Sequence, residues 1–324
     1  MFGFTGLIAI LLTIGGCLWL YTSFQHLGPL DRETVLIIPK GVSSARIAAD
    51  LEAAGIIADS RVFRLGLKFL SPSMPLRAGE FLFPAQVSPF NAIHILQSGQ
   101  TVARFFTAAE GLSNAKIAAS LTNTPGMTGF VGRLPEEGWL LPETYHFSFG
   151  DPRHQLIEQM NKAMVTLLEE LWAKRTLGLP FKSAREALIL ASIVEKETGM
   201  AAERARVAAV FINRMRKGMR LQSDPTVVYG LTLGRWELGR SLTHDDLRHA
   251  TPYNTYLIKR LPPTPITNPG RAALNAVLNP VISGELYFVA DGTGGHVFAE
   301  TFKEHRANVT RWRNLKKKKR FAID

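Results

Sequence analysis

The chain has 324 residues, of which 46% are hydrophobic and 20% are charged, a composition that excludes a disordered or low-complexity protein. This length leaves room for two domains with a sizeable core. The formal net charge of +11 calls for an anionic partner, such as nucleic acid, lipid head groups or an acidic cell-wall polymer. The single cysteine, Cys17, excludes an intramolecular disulfide and a cysteine-based metal cluster.

The N-terminal segment is apolar: residues 2–20 carry no charge, and the first charged residue is Asp31. About 20 apolar residues in a helix match the ~30 Å hydrocarbon core of a bilayer, so the pattern predicts a transmembrane anchor over residues 1–24. A cleaved signal peptide and a lipoprotein signal at Cys17 are the alternatives, but the basic start expected of both is missing. Behind a membrane anchor, nucleic acid is the least expected anionic partner.

Small alternating strands and helices are predicted between residues 34 and 100, where serines precede helices and glycines such as Gly55 and Gly99 end them. The predicted elements are a strand at 35–39, helices at 45–54 and 60–70, a strand at 77–83 and a helix at 89–98. A strand at 102–107 and a short helix ending at Leu121 then repeat part of this outline.

Longer helices follow, separated by glycine and proline signals. They are predicted at 153–176, 183–198 and 201–217, and Gly218 ends the last of them. Prolines 262, 263, 265 and 269 exclude regular structure in the segment 253–270. A final strand is predicted at 286–289, before a glycine-rich turn.

The helix at 183–198 has almost no polar face and is therefore expected to be buried, yet it ends in the triplet Glu195-Lys196-Glu197. At about 100° per residue, Glu197 continues a more apolar stripe than Glu195 does. Burial and the negative end of the helix dipole both raise the pKa of a carboxyl group. Glu197 is therefore the predicted general acid.

Glu195 continues a smaller and more polar stripe of the same helix. We expect it to make a structural hydrogen bond or an ion pair, with Arg204 or Arg206 as candidate partners, and we also count it among the candidate substrate-binding residues. The alternative for both glutamates is that they are solvated residues of a last helical turn.

Polar residues that follow this helix are candidates for binding a sugar. Asp224 precedes Pro225 and is expected in an exposed, extended position, where it could orient sugar hydroxyls or, with Gln222, support the transition state. A simple turn is the alternative for Asp224. Asn213 suits an N-acetyl group, or else a hydrogen bond between helices.

Aromatic rings with polar edges also suit a sugar, although buried tyrosines look the same in a sequence. The candidates are Tyr229, Tyr253 and Tyr256, with Asn254 between the last two. No metal and no cofactor is expected. His296 and His305 are too far apart for a helical pair, and the glycines at 292–295 lack the lysine of a phosphate-binding loop.

Six ordered sequence blocks together resemble the YceG-like endolytic murein transglycosylases, membrane-anchored enzymes that cut bacterial peptidoglycan. They are EGWLLPETYHF (137–147), ASIVEKET (191–198), VFINRMRKGMRLQSDPTVVYG (210–230), TPYNTY (251–256), LPPTPITNPG (261–270) and LYFVADGTGGHVFAET (286–301). In that family the second carboxylate of the E-K-E triplet is the acid and base, which corresponds to Glu197.

The resemblance implies an α+β protein built of four segments. These are an N-terminal transmembrane helix (1–24), a small lysin-motif-like α/β subdomain (34–100), a larger α+β catalytic domain (101–315) and a basic tail (316–324). It also implies a location outside the bacterial inner membrane, peptidoglycan strands as the substrate and an association with cell-wall synthesis proteins. The lysin-motif-like subdomain would contact glycan or serve only as a spacer.

The implied reaction needs one carboxyl group, which protonates the bridging oxygen and then takes the proton of the C6 hydroxyl. The product is a 1,6-anhydro end on N-acetylmuramic acid, and the expected role is to limit strand length. Two alternatives stay open. A muramidase would add water and need a second carboxylate, Asp224 or Glu143, and a wall-binding scaffold would not cleave at all.

Overall fold

The computed structural model describes residues 2–71 and 74–321, with side chains described for 7–8, 10–71 and 74–316. The chain divides into two compact units. Unit 1 contains Met1–Phe105, Pro125–Thr128 and His146–Asp151, and unit 2 contains Phe106–Thr124, Gly129–Tyr145 and Pro152–Asp324.

Unit 1 begins with a long helix and continues with a two-stranded sheet and three short helices. In chain order they are α1 (Phe2–Gln25), β1 (Thr34–Ile38), α2 (Ser44–Ala53), α3 (Ser60–Phe69), β2 (Gly79–Phe83) and α4 (Pro89–Ser98). β1 and β2 are antiparallel, with Thr34 opposite Phe83 and Ile38 opposite Gly79. Side chains of Ser43, Asp59 and Ser88 cap the three short helices, and of these caps the one of α2 was predicted.

The core of unit 1 lies between the β1–β2 sheet and its helices, and the end of α1 contributes to it. The fully buried residues include Leu51, Phe63, Phe81, Ile93 and Phe24 of α1. The predicted anchor falls on α1. Within the part of the chain that the structure describes, no helix is both long and apolar enough to cross a membrane.

A second two-stranded sheet pairs β3 (Arg104–Thr107) with β4 (Thr144–Phe147). β3 was predicted from its sequence, and β4 was not. β4 lies inside the block EGWLLPETYHF, where only Thr144–Phe147 alternates between exposed and buried side chains.

Unit 2 is mainly helical and closes with a hairpin and a long helix. Its elements are α5 (Asn114–Thr122), α6 (Arg153–Ala173), α7 (Ala184–Glu197), α8 (Arg204–Arg216), α9 (Asp224–Thr232), α10 (His244–Arg248), α11 (Arg271–Leu278), β5 (Tyr287–Ala290), β6 (His296–Ala299) and α12 (Phe302–Phe321). β5 and β6 are antiparallel, with Phe288 opposite Phe298.

α7 is the central element of unit 2, in contact with α6, α8, α9 and α11. Its residues Leu188, Leu190, Ile193 and Val194 are fully buried, which confirms the prediction of a buried apolar helix. A hydrophobic cluster joins this helix to α8 and α11. The end of α7 therefore has a rigid base.

The structure corrects the conformation predicted for Asp224. It is the first residue of α9, and the extended residue is Ser223 before it. Pro225 is compatible with this start because the first turn of a helix leaves its N–H groups without intrahelical partners. Asp224 is exposed, as expected.

Helices α9, α10, α11 and α12 were not predicted. α10 has only 5 residues and α11 only 8, too short for a clear apolar period. The segment 253–270 has neither helix nor strand, as its prolines indicated. The predicted basic tail at 316–324 overlaps the end of α12, but its side chains beyond residue 316 lie outside the described residues.

Candidate active site

Glu197 is the last residue of α7, and it is only partly exposed to solvent. Ser223 donates a hydrogen bond from its Oγ to Oε1 of Glu197 at 2.5 Å. Burial raises the pKa of Glu197 to about 7, against the opposing effect of this hydrogen bond. The negative charge of Asp224 raises the pKa further, whereas His296 and Arg214 lower it. Glu197 is thus poised to give and take a proton near neutral pH.

Ser223 is held in place by two threonines. Its backbone N–H donates to Oγ1 of Thr255 at 2.9 Å, and its carbonyl accepts from Oγ1 of Thr226 at 2.6 Å. The two threonine hydroxyls also bond each other at 2.8 Å. All three residues are buried, so the donor to Glu197 has a fixed position.

Asp224 and Tyr256 form a polar pair beside Glu197. The Tyr256 hydroxyl donates to Oδ1 of Asp224 at 2.6 Å. Burial, followed by the hydrogen bond to Asp224, raises the pKa of Tyr256, so its hydroxyl remains a donor at neutral pH. The pair fixes the direction of the Asp224 carboxylate.

Arg214 also reaches the site, although the sequence argument gave it no role. It is buried on α8, and it donates from Nε to the carbonyl of Leu286 at 2.7 Å and from Nη1 to the carbonyl of Leu221. Burial lowers its pKa, while the Glu197 charge opposes that shift. The helical spacing could have indicated that Arg214 is buried. It follows Val210 by four residues and Val207 by seven, and so lies on the apolar face of α8.

These groups line a cavity of about 500 Å³. Its walls come from the end of α7, the start of α9, strand β5 and helix α12, with Glu197, Arg214, Gln222, Asp224 and Tyr256 among the lining residues. A second cavity of about 450 Å³ shares Asp224 and contains Tyr229, Lys196 and the half-exposed Trp236. The two cavities therefore share Asp224 as a lining residue.

Gln222, predicted to support the transition state, lies in the Glu197 cavity with an exposed side chain. Its backbone is left-handed, with a φ of 53°. This conformation costs a non-glycine residue about 1–2 kcal/mol and is concentrated at functional sites.

The other predicted tyrosines lie further away. Tyr229 and Tyr253 pack edge to face with centroids 4.9 Å apart, and Tyr229 lines the second cavity. The Tyr253 hydroxyl bonds Oγ1 of Thr264 at 2.9 Å. Neither tyrosine is among the residues that line the Glu197 cavity.

The two predicted asparagines are occupied within the protein. Asn254 is fully buried, and its amide donates to the carbonyls of Leu247 and His249. Its Oδ1 accepts from the backbone N–H of Tyr256, so Asn254 holds the backbone of that tyrosine in place. The Asn213 amide donates to the carbonyls of Ser283 and Glu285, which lie in the segment before β5 and in no helix, so this contact is not the hydrogen bond between helices that was the alternative for Asn213.

Glu195 makes the structural contacts expected of it. Its Oε2 accepts from the backbone N–H of Gly270 at 2.9 Å, and its Oε1 lies 3.6 Å from the Arg204 guanidinium. Arg206 pairs instead with Glu285. Glu195 thus connects α7 to the start of α11 and is absent from the lining of the Glu197 cavity.

A further, partly buried carboxyl group, Glu137, was not singled out by the sequence. Its Oε1 accepts from the backbone N–H of Asn114 at 2.8 Å, at the start of α5, and from the Asn268 amide at 3.3 Å. The Tyr229 hydroxyl is 3.5 Å from its other oxygen. Burial raises the pKa of Glu137 to about 7. Glu143, the other carboxylate considered for a muramidase, is exposed and lies outside the lining of the Glu197 cavity.

No group of three or more histidine, cysteine, aspartate or glutamate side chains in the described residues is arranged to hold a metal ion. The chemistry that the described site offers is that of a carboxyl group with a raised pKa, a fixed hydroxyl donor and a buried guanidinium.

Comparisons with known proteins agree on one family. The model of the YceG-like family matches residues 36–311. The endolytic murein transglycosylase of Bacillus subtilis (strain 168) is 30% identical, over 95% of this chain and 93% of its own length. That of Streptococcus pneumoniae serotype 2 (strain D39) is 27% identical, over 94% of this chain and 64% of its own length.

A solved structure is similar as well. The 2.6 Å crystal structure of a putative YceG-like protein from Listeria monocytogenes superposes with a TM-score of 0.52 at 29% identity. The superposition covers 86% of this chain and 99% of that one.

Proposed function

This chain belongs to the YceG-like family, and on that premise we propose that it is an endolytic murein transglycosylase with Glu197 as both acid and base. The observation that carries the proposal is one partly buried carboxyl group with a pKa of about 7, in a cavity large enough for a sugar. Near neutral pH both protonation states of such a group are populated, and the reaction uses both.

In the first step, Glu197 gives its proton to the oxygen that bridges N-acetylmuramic acid and N-acetylglucosamine. The bond between C1 of the muramic acid and this oxygen breaks, and the glucosamine leaves as an alcohol. Positive charge develops at C1 and the ring oxygen, as in other glycosidic cleavages. The exposed Asp224 carboxylate lies in the same cavity and can stabilise that charge or orient a sugar hydroxyl.

In the second step, the Glu197 carboxylate takes the proton of the C6 hydroxyl of the same muramic acid. The C6 oxygen forms a bond to C1, which closes the 1,6-anhydro ring and restores the acid without consuming water. Ser223 and Arg214 both stabilise the carboxylate form that exists between the two steps. One carboxyl group is sufficient for this cycle.

The position of Asp224 supports cleavage within a strand. Asp224 lines both the Glu197 cavity and the second cavity, so a glycan chain that passes it can extend into both. The half-exposed Trp236 in the second cavity offers an indole face on which a sugar can stack. We expect cleavage in the interior of nascent strands, which would limit their length.

Two features outside unit 2 complete the proposal. β1, α2, α3 and β2 form a β-α-α-β arrangement with antiparallel strands, which supports a lysin-motif-like subdomain that contacts glycan or acts as a spacer. The absence of charge from residues 2–20 and the exposed Leu11, Leu12 and Leu18 support an inner-membrane anchor. Unit 2 would then act outside the cytoplasm, where association with cell-wall synthesis proteins stays a prediction.

The test is the chemistry of the product ends. Purified glycan strands are digested with the full chain and the fragments are analysed by mass spectrometry. We expect 1,6-anhydro ends. Reducing ends that contain an added water molecule would indicate the muramidase alternative, for which the presence of Asp224 beside Glu197 is the supporting observation. Binding of strands without cleavage would indicate the scaffold.

A further inference from the structure

Helix α12 provides a wall of the Glu197 cavity. One face of the helix lines it, through residues spaced three or four positions apart: Phe302, His305, Val309, Trp312 and Arg313. The cavity thus has α12 on one wall, and Glu197, Asp224 and Tyr256 line it as well. None of the α12 residues was expected to take part in the site.

His305 has a fixed position on this wall. Its imidazole stacks on the ring of Tyr287, with centroids 5.0 Å apart and planes 20° from parallel. The Arg214 guanidinium lies 5.4 Å from the Tyr287 ring centroid, so the tyrosine connects His305 to the base of the site. The ring therefore needs little reorganisation to receive a ligand.

The hydrogen-bonding capacity of His305 is unused within the described part of the chain. Its Nδ1 is buried and has no partner, and no hydrogen bond to Nε2 occurs among the described residues. Buried polar atoms in folded proteins nearly always have a partner, and an unpaired acceptor is less rare than an unpaired N–H group, which bears on where this ring carries its proton.

The ring is uncharged at neutral pH, because burial and, to a smaller degree, Arg214 lower the pKa of His305. A neutral imidazole has one N–H donor and one acceptor. Orphaned buried N–H groups are rare, so the proton belongs on the accessible Nε2 and the lone pair on the buried Nδ1. His305 then presents an N–H donor to the cavity.

We propose that His305 is a substrate-positioning residue, whose Nε2–H donates to the carbonyl oxygen of an N-acetyl group on the sugar bound beside Glu197. The amide carbonyl is the strongest neutral acceptor on a murein glycan, and the aromatic side chains Phe302 and Trp312 on the same wall suit the acetyl methyl group and the sugar face. The proposal rests on the proposed function, because it names the group that this same site recognises.

The test is to measure the affinity of the full chain for two ligands. Every variant also contains Glu197→Gln, which prevents turnover, and the Glu197→Gln protein is the parent. The ligands are a murein tetrasaccharide and its fully N-deacetylated counterpart. His305→Phe keeps the stacked ring and removes both nitrogens. Relative to the parent, it should weaken binding of the acetylated ligand about three- to tenfold, the effect of one neutral hydrogen bond, and leave binding of the deacetylated ligand unchanged.

Two controls separate this role from a structural one. Lys303→Ala changes an exposed residue of α12 that does not line the cavity, and should leave both affinities unchanged. The melting temperature of His305→Phe should be unchanged or higher, because the substitution removes an orphaned polar atom.

Equal effects of His305→Phe on both ligands, or no effect on either, would overturn the proposal for His305 alone. Failure of the Glu197→Gln parent to bind either tetrasaccharide would overturn the proposed function, and the inference with it.

Discussion

At the scale of single residues, the decisive property is the protonation equilibrium of Glu197. Burial raises its pKa, and the hydrogen bond from Ser223 limits that rise. Asp224 acts in the same direction as burial, through its charge. The two neighbours therefore affect the acid in opposite senses, and each effect can be measured alone.

Ser223→Ala should raise the pKa of Glu197, because the carboxylate loses the hydrogen bond that stabilises it. The first step needs protonated Glu197, so kcat/KM falls as pH rises through this pKa. The basic limb of the pH–rate profile should therefore shift to higher pH in this variant. An unshifted limb would show that Ser223 does not set the pKa of the acid.

Asp224→Asn should shift the same limb to lower pH, because it removes the negative charge that disfavours the carboxylate form of Glu197. The measurement is kcat/KM across pH 5 to 9 in parallel with Ser223→Ala. If the basic limbs of the two variants shifted in the same direction, this would contradict the electrostatic account.

Sequence reasoning reached Glu197 because helical spacing and burial are local properties of α7. It could not reach His305 or Glu137, since their environments are made by residues distant in the chain. The same reason explains the wrong expectation for Asn254. It was a candidate sugar ligand, but it is fully buried and accepts from the backbone N–H of Tyr256.

At the scale of elements, a buried hydrogen bond is among those that join α7 to the proline-rich segment that follows α10. Ser192 is fully buried in the middle of α7. Its hydroxyl donates to the carbonyl of Ile189 at 2.7 Å and accepts from the backbone N–H of Ile266 at 3.0 Å. Ile266 lines the second cavity, so this contact fixes part of the wall of that cavity to the core of unit 2.

Ser192→Ala should lower the free energy of unfolding by about 1–3 kcal/mol, because it leaves the buried N–H of Ile266 without an acceptor. Equilibrium urea unfolding measures the change, with the exposed Ser120→Ala as the matched control. A loss as small as that of the control would mean that the segment finds another acceptor.

The sequence predicted the elements that an apolar period or a glycine stop marks, whether short or long, and it missed the helices from α9 to α12. α7 and α8 were placed within a few residues because an apolar period and a stopping residue marked each of them. α11 has only 8 residues, and it is stabilised by packing on α6, α7 and α8 rather than by a local signal. The start of α9 was missed because the proline after Asp224 was taken to end helical geometry, whereas it suits a first turn.

At the scale of the whole molecule, the stability of the fold depends on pH through carboxyl groups that burial keeps protonated. Burial raises the pKa of Glu137 from 4.5 to about 7. Between these values the folded state holds a proton that the unfolded state has lost. This group therefore makes the folded state less stable as pH rises through that window.

Glu137→Gln should flatten the decrease in melting temperature between pH 4.5 and pH 7, because the amide keeps the hydrogen bonds of the protonated acid but does not titrate. Melting temperatures of the full chain at intervals across the window provide the test. Glu169→Gln, an exposed glutamate of α6, is the control for the lost charge. An unchanged slope for Glu137→Gln would show that this carboxyl group is already ionised in the folded protein.

The central claim is that one carboxyl group performs both proton transfers, and it is tested most directly by the rate of formation of 1,6-anhydro ends. The variants Glu197→Gln and Asp224→Asn are compared with the wild type on the same glycan strands. Glu197→Gln should lose about 10²–10⁴-fold in rate, the contribution of a general acid, while Asp224→Asn still forms anhydro ends. Loss of cleavage in both variants, with water added to the wild-type products, would contradict the account and indicate a muramidase with two catalytic carboxylates.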